Sequence, residues 1–349
     1  MRRPTPLLAA LAAATATLVT IGFTAPGAGA AAWHGGRGLP HDVFAPYVET
    51  YDTTDGGPAA LSQESGARYV SLAFLQTATA GSCTAYWNGD TSTPISSSSF
   101  GSDISAIQAA GGNVIPSFGG FAADTTGTEI ADSCASVSGI AKVFEQVITT
   151  YHVPRIDLDI EGTSLTDTAG INRRNEAVAQ VEAWAAHRGL KIQFSYTLPV
   201  LTTGLDAEDD ALLANAIADH ARIATVNLLT FDYFIGTEQD MVADTETAAA
   251  GSYTELRSLY PSDSPAQIWR MIGITEMPGI DDFGADETFS TADAITVLNW
   301  ARGKGIGLLS FWALERDNGG CPGTKGAGNC SGLDQPTWYF SHVFEHFTR

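Results

Sequence analysis

Two patterns in the chain predict an α/β fold, a (β/α)8 TIM barrel forming a single domain after a cleaved signal peptide. Short apolar, β-rich runs alternate with longer segments of helical period, as expected of βα units around a parallel sheet. One of these runs, 155–161, carries a carboxylate at every second position. The strand candidates number eight: 44–50, 69–75, 113–118, 155–161, 191–197, 225–233, 271–275 and 307–312. Helix candidates at 103–110, 137–151, 172–188, 207–223 and 291–303 lie between them. The spacers are short, with no tether for a second module and no short-period repeat, so the units are expected to close into a barrel rather than stack as a solenoid. The segments 52–57 and 96–99 follow strand candidates and read as loops on one face. Only about a dozen residues separate the seventh strand from the helix near Thr291, too few for an inserted domain, so a shallow open cleft is expected.

The barrel is expected over 42–349. Ahead of it, Arg2 and Arg3 precede an uncharged run, 7–23, and the small residues Ala28, Gly29, Ala30, Ala31 and Ala32 follow. That is the pattern of a signal peptide over 1–30, cleaved near 30–32. The run is short for a membrane anchor, and Pro4, Thr5 and Pro6 fit a twin-arginine signal poorly, so ordinary secretion of an extracellular protein is expected. The remaining roughly 317 residues suit one large α/β barrel. A formal net charge of -21 argues against nucleic acid as a partner. No membrane association is expected, and the protein should be a monomer.

Four cysteines in an exported chain point to two disulfides. Cys321 with Cys330 would close a short glycine-rich loop, leaving Cys83 with Cys134. No C-x-x-C spacing or H-E-x-x-H helix is present, so neither a metal nor an organic cofactor is expected. His342 and His346, four apart near the C-terminus, read as a solvated helix face rather than a ligand pair.

The segment Arg155-Ile156-Asp157-Leu158-Asp159-Ile160-Glu161 is the most informative. Period two puts its three acids on one face and its three aliphatics on the other. In a barrel the aliphatics must meet the helices, so Asp157, Asp159 and Glu161 point inward. A buried carboxylate costs several kcal/mol unless it is protonated, paired or hydrogen-bonded, which a merely structural strand would avoid. Acids about 6 to 7 Å apart along a strand also crowd one another, raising at least one pKa. Glu161 falls at the C-terminal end, the face where barrel enzymes place their chemistry. A solvated edge strand or a cation-binding loop would carry Gly or Asn between the acids, where this chain has Ile, Leu and Ile.

Asp157, Asp159 and Glu161 resemble the D-x-D-x-E core of glycoside hydrolase family 18, the chitinases and endo-β-N-acetylglucosaminidases. Ser117-Phe118-Gly119-Gly120 resembles that family's S-x-G-G on the third strand, and Ser195-Tyr196-Thr197-Leu198-Pro199 its fifth-strand segment. Phe231-Asp232-Tyr233 is similar to the sixth-strand element, Gly273-Ile274-Thr275-Glu276-Met277 to the seventh, and Phe311-Trp312 to the eighth. The likeness is to the short bacterial and archaeal type without the inserted α+β domain. Pro154 and Arg155 stand where the family usually has Asp-Gly, and Ile160 where Trp or Phe often precedes the Glu.

The resemblance implies a secreted, endo-acting chitinase cutting β-1,4 N-acetylglucosamine linkages in chitin or related oligosaccharides, with retention of configuration. The substrate's 2-acetamido group would be the nucleophile, an exception to the two-carboxylate scheme. Glu161 would be the acid and then the base, Asp159 would hold the acetamido group, and Asp157 would share a proton with Asp159. Trp312 would form the sugar's apolar floor. Asp232, Tyr233, Ser117 and Met277 complete the substrate-binding residues implied. An endo-β-N-acetylglucosaminidase acting on N-glycans would need the same row, and a non-catalytic sugar-binding protein can share the barrel. Tyr86 and Trp87 could extend a sugar-binding row or pack the disulfide at Cys83, while Trp184, Trp269, Trp300 and Trp338 read as core.

Overall fold

The computed structural model describes residues 38–52, 54 and 56–348. The expected signal peptide over 1–30 lies outside the described residues. Eight parallel staves form the barrel. The first is split, with Val43–Phe44 followed after Ala45 and Pro46 by Tyr47–Glu49 (β1). The others are Tyr69–Thr77 (β2), Asn113–Gly119 (β3), Arg155–Asp159 (β4), Gln193–Pro199 (β5), Ile223–Leu229 (β6), Ile272–Glu276 (β7) and Leu308–Phe311 (β8). Each of β2 to β8 pairs in parallel with the next. The sheet closes through the split stave: Val43 and Phe44 pair with β8, while β1 pairs with β2. Pro46 sits at the changeover, where its missing N–H cannot be lost from a ladder and its carbonyl accepts from Ser71 N–H at 2.8 Å.

Period-two alternation divides the strands between two environments. Ile156, Leu158 and Ile160 are buried on the outer side, against the helices. The helix Val137–Tyr151 shows how that layer is built. Ser136 caps it by accepting from Gly139 N–H, and the chain leaves at His152 with φ 56°. Its buried stripe Ile140, Val143, Phe144, Val147 and Tyr151 has helical spacing. Phe144 packs edge-on against Phe118 of β3 at 5.1 Å and lies 5.6 Å from Phe194 of β5. The inward faces carry Tyr47, Ser117, Asp157, Ser195, Thr197 and Asn227, so the lumen is polar above its base.

Differences from the sequence expectation lie mainly at boundaries. The fourth strand ends at Asp159, and Glu161 follows in extended conformation (φ -135°, ψ 175°) as the cap of a short 3-10 turn, Gly162–Leu165. The ladder persists to Ile160, whose N–H donates to Thr197 O at 2.9 Å, so Glu161 keeps the inward parity. The sixth strand stops at Leu229 because Asp232 (φ 54°) and Phe234 (φ 55°) turn the chain through the left-handed region. Helices Pro58–Ser65, Met241–Leu259 and Pro265–Met271 were not anticipated. The longest of these buries Thr245, Ala248, Ala249 and Ser252, small residues that give a weak apolar period. Between β7 and the helix Thr291–Lys304 there is only a two-stranded hairpin, Gly279–Ile280 with Thr288–Phe289. Trp87 is fully buried and donates from Nε1 to Tyr151 Oη at 2.9 Å, so it packs the fold. Trp269 and Trp184 are half-buried on the outer helices, under Lys304 at 4.9 Å and Arg188 at 4.6 Å, rather than in the core.

The cysteines pair as Cys83–Cys134 and Cys321–Cys330. Among the described residues no helix is long and apolar enough to cross a membrane. The two disulfides close loops of very different length, with sequence separations of 51 and 9. Chain-entropy scaling assigns about 4 kcal/mol to the first and about 3 kcal/mol to the second. Guanidinium unfolding of the Cys83→Ser/Cys134→Ser variant should therefore show a larger loss of stability than Cys321→Ser/Cys330→Ser. The reverse order would show that loop length does not govern their contribution here.

Candidate active site

Asp157 sits deepest in the carboxylate row. Its Oδ2 accepts from Tyr47 Oη at 2.9 Å and Ser117 Oγ at 2.7 Å, and its Oδ1 from Ser195 Oγ at 2.7 Å and Thr197 Oγ1 at 2.9 Å. The strand registers Ser117 with Asp157 and Asp157 with Ser195 place three of these groups at one level of the barrel. A second tier extends the network: Asn227 Nδ2 donates to Thr197 Oγ1 at 3.0 Å, and Thr275 Oγ1 donates to Asn227 Oδ1 at 2.9 Å. Tyr47 lies beside Asp157 and Asp159, and burial followed by these carboxylates raises its hydroxyl pKa well above the ordinary value.

Asp159, 3% exposed, has no such clamp, and its Oδ1 is buried without a hydrogen-bond partner. Burial first, then Glu161, Asp157 and Asp124, raises its pKa well above the usual carboxylate range. Glu161 is pushed up to about 7 by burial, against a lowering hydrogen bond from Phe121 N–H. Near neutrality it can therefore both give and take a proton.

A fourth carboxyl, not anticipated from the sequence, supports this row. Asp124, fully buried in the short helix Phe121–Thr126 after β3, accepts the Glu161 backbone N–H on Oδ2. Thr163 Oγ1 donates to the Asp124 carbonyl at 2.6 Å. Burial, then Glu129, pushes Asp124 up to about 9. The approach needs glycine at 119: a Cβ there would fall 2.0 Å from the Asp159 carbonyl oxygen, and φ is +99°. Behind Asp124, Arg174 pairs with Glu129 at 2.8 Å, both fully buried.

Trp312 follows β8 and is half-buried. It stacks on Phe74 with centroids 5.5 Å apart and 11° between planes, and lies 5.6 Å from Tyr47. The Ala73–Phe74 and Trp312–Ala313 peptides are cis. These aromatics border the carboxylate row through Tyr47, which touches both sets. Asp232 is half-buried, and burial, then Asp281 and Asp282, pushes it up to about 8. Tyr233 turns its hydroxyl into a buried position where burial, then Glu276 and Asp244, raises its pKa. Ser117 (0% exposed) and Met277 (3%) offer no open surface. The Ser117 hydroxyl is held by Asp157 instead of facing the cleft. Arg155, in the place of the family's usual glycine, is buried at the other end of β4 and donates to Gln193 Oε1 at 2.9 Å. Tyr47 was legible in principle, since it shares the inward parity of Glu49 on the first strand. Asp124 was not, because its segment has no period that fixes a direction.

The chain is 32% identical over 326 residues to the probable bifunctional chitinase/lysozyme of Escherichia coli (strain K12), covering 90% of this chain and 35% of that protein. It is 31% identical over 293 residues to endochitinase 11 of Metarhizium anisopliae, covering 80% and 53%. The chain thus spans between a third and about half the length of these curated relatives. The catalytic domain of the Pyrococcus furiosus chitinase superposes with a TM-score of 0.78 at 27% identity, covering 90% of this chain and 97% of that domain. Catalytic-site mutants of that enzyme have also been solved with chito-oligosaccharides. No protein-family model matches the chain. Fold and carboxylate row together define the class, that of chitinase-like (β/α)8 glycoside hydrolases. In fold and carboxylate row the chain resembles the chitinases of glycoside hydrolase family 18.

Because Asp124 is held protonated, an amide should replace it well. Asp124→Asn is expected to stay within about threefold of the native rate, since its carbonyl can still accept from Glu161 N–H. Asp124→Ala should lower kcat by roughly tenfold or more by freeing the Glu161 backbone and leaving a buried N–H unpaired. Steady-state kinetics with thermal melts would check this, and equal damage from both substitutions would refute it.

Proposed function

We propose that this barrel hydrolyses β-1,4-linked N-acetylglucosamine polymers at internal bonds, by substrate-assisted catalysis with retention. The observation that carries the reading is the contrast along one strand: Asp157 saturated by four hydroxyls, Asp159 buried with an unpartnered oxygen, Glu161 tuned to about 7. A buried carboxyl oxygen without a partner beside a proton donor suits a substrate that brings its own N–H. The 2-acetamido group does so. The chitinases among the relatives support the same substrate class.

In this mechanism protonated Glu161 gives its proton to the glycosidic oxygen as the C1–O bond breaks. The acetamido carbonyl oxygen closes onto C1 from the opposite face, forming an oxazolinium ion. Asp159 accepts the acetamido N–H, and the growing positive charge favours its ionisation, with its proton passing toward Asp157 as Tyr47 Oη turns its hydrogen from Asp157 to Thr197 Oγ1, 3.0 Å away. Glu161, now a carboxylate, takes a proton from water, which attacks C1 and restores the acetamido group with the original configuration. Trp312 and Phe74 provide an apolar floor for the pyranose C–H face. Asp232, neutral at about 8, can donate a hydrogen bond to the acetamido carbonyl.

We also propose export from the cell, on the leader-like pattern of the first thirty-two residues and two disulfides that need an oxidising compartment. The intact mass of the protein recovered from culture medium should correspond to a chain starting near 31–33. Recovery only from the cell interior, uncleaved, would rule this out.

The catalytic test is release of products from colloidal chitin and from a high-mannose glycopeptide, with the anomer followed by NMR. Soluble β-anomeric chitooligosaccharides are expected, with Glu161→Gln lowering kcat by at least about a thousandfold. The rate should fall as pH rises through about 7, where Glu161 loses the proton it must donate. Cleavage of the glycopeptide alone would move the substrate to N-glycans. Chitin binding without turnover by native protein would leave a non-catalytic sugar-binding barrel.

A further inference from the structure

Large apolar side chains are exposed on one face of the barrel. Tyr51, Phe121, Leu201, Phe234, Ile235 and Phe283 all lie in segments that follow the C-terminal ends of strands, and Ile295, on an outer helix, is the exception among the described residues. Two of these form a pair. Phe234, 71% exposed in the segment after β6, meets Phe283, 41% exposed at the tip of the hairpin after β7, with centroids 4.3 Å apart.

Holding that pair in water is not what the local sequence would do alone. Phe234 has φ 55°, a region a bulky residue seldom occupies. Two buried carboxyls enforce the arrangement, Asp281 and Glu287, each 1% exposed. Glu287 accepts from the N–H groups on either side of Phe234, Tyr233 at 2.7 Å and Ile235 at 3.3 Å. Asp281 accepts from Phe283 N–H at 2.9 Å and from Asp232 N–H at 3.2 Å. The same acidic pair therefore fixes both rings and joins their segments, two residues from Asp232. Backbone strain kept in place by buried hydrogen bonds is common at ligand clamps.

The occupant follows from size and charge. Two rings are too small an apolar patch for a stable protein interface, and a second copy of a chain with net charge -21 would be repelled. A neutral pyranose offers a C–H face to a phenyl ring and hydroxyl donors to the exposed Asp282 beside it. We propose that Phe234 and Phe283 form a preformed platform for an N-acetylglucosamine unit other than the one that reacts, giving the site a preference for longer chains. This rests on the substrate class proposed above.

The test is calorimetric titration of the Glu161→Gln protein with the chitin dimer and hexamer. Adding Phe234→Ala and Phe283→Ala should weaken hexamer binding by about five- to tenfold, while dimer affinity moves by less than about twofold. Phe234→Trp should retain hexamer binding, which separates stacking from a folding defect, and Ile295→Ala should leave it unchanged. Unaltered hexamer affinity in the double alanine variant, or equal losses for both oligomers, would overturn the platform alone. If the unsubstituted Glu161→Gln protein binds neither oligomer, the substrate class itself falls and the platform with it.

Discussion

The hydroxyl clamp on Asp157 is the interaction on which the rest of the barrel interior depends. A carboxylate enclosed by a strand barrel is costly to bury, by several kcal/mol if left without partners. Here β1, β3 and β5 each turn at least one hydroxyl onto it, so it joins strands that are not neighbours in the sheet. Removing the clamp would leave buried carboxyl oxygens without partners in the lumen. Keeping it requires Tyr47, Ser117, Ser195 and Thr197 in register, and hence the strand pairing that puts them there. Polarity at the centre of this barrel is a condition of its assembly as well as of its chemistry.

From that fixed point the row becomes less satisfied toward the open face. Asp157 has every partner it can use, Asp159 lacks one, and Glu161 is held through its backbone by Asp124 and through its carboxyl by Phe121 N–H. The gradient separates positioning from reactivity, because Glu161, which gives and takes the reacting proton, is not the group that bears the structure. The cost is carried by Asp124, buried and neutral behind the site, and by the Arg174–Glu129 pair beyond it.

The fold was largely legible because barrel strands must alternate between two environments, and the aliphatics of 155–161 leave only one assignment for the acids. Short apolar, β-rich runs between segments of helical period marked the approximate limits of the eight staves. Where no alternation exists the reading stopped. Nothing in Phe121–Thr126 marks Asp124 as buried, the Ala- and Ser-rich helix Met241–Leu259 has little apolar period, and the turning of Phe234 depends on Glu287, more than fifty residues later. Ser117 was found by motif but given the wrong neighbour to serve, since its direction was clear and its depth was not. Exposure at strand ends depends on loops, and loops depend on contacts remote in sequence.

The split first stave carries a consequence for the order in which the molecule is made. Val43 and Phe44 pair with Leu308 and Leu309, and Phe44 N–H also reaches Thr348 Oγ1 at 2.9 Å. The two margins of the sheet therefore meet only through residues about 265 positions apart in the chain. Until the final stave emerges, the nascent protein is an open sheet with two unpaired margins, each able to pair with another chain. Closure of so long a loop is a late and slow event. A chain interrupted between Glu161 and β8 would hold the complete row from Asp157 to Glu161 yet present its sheet edges to aggregation.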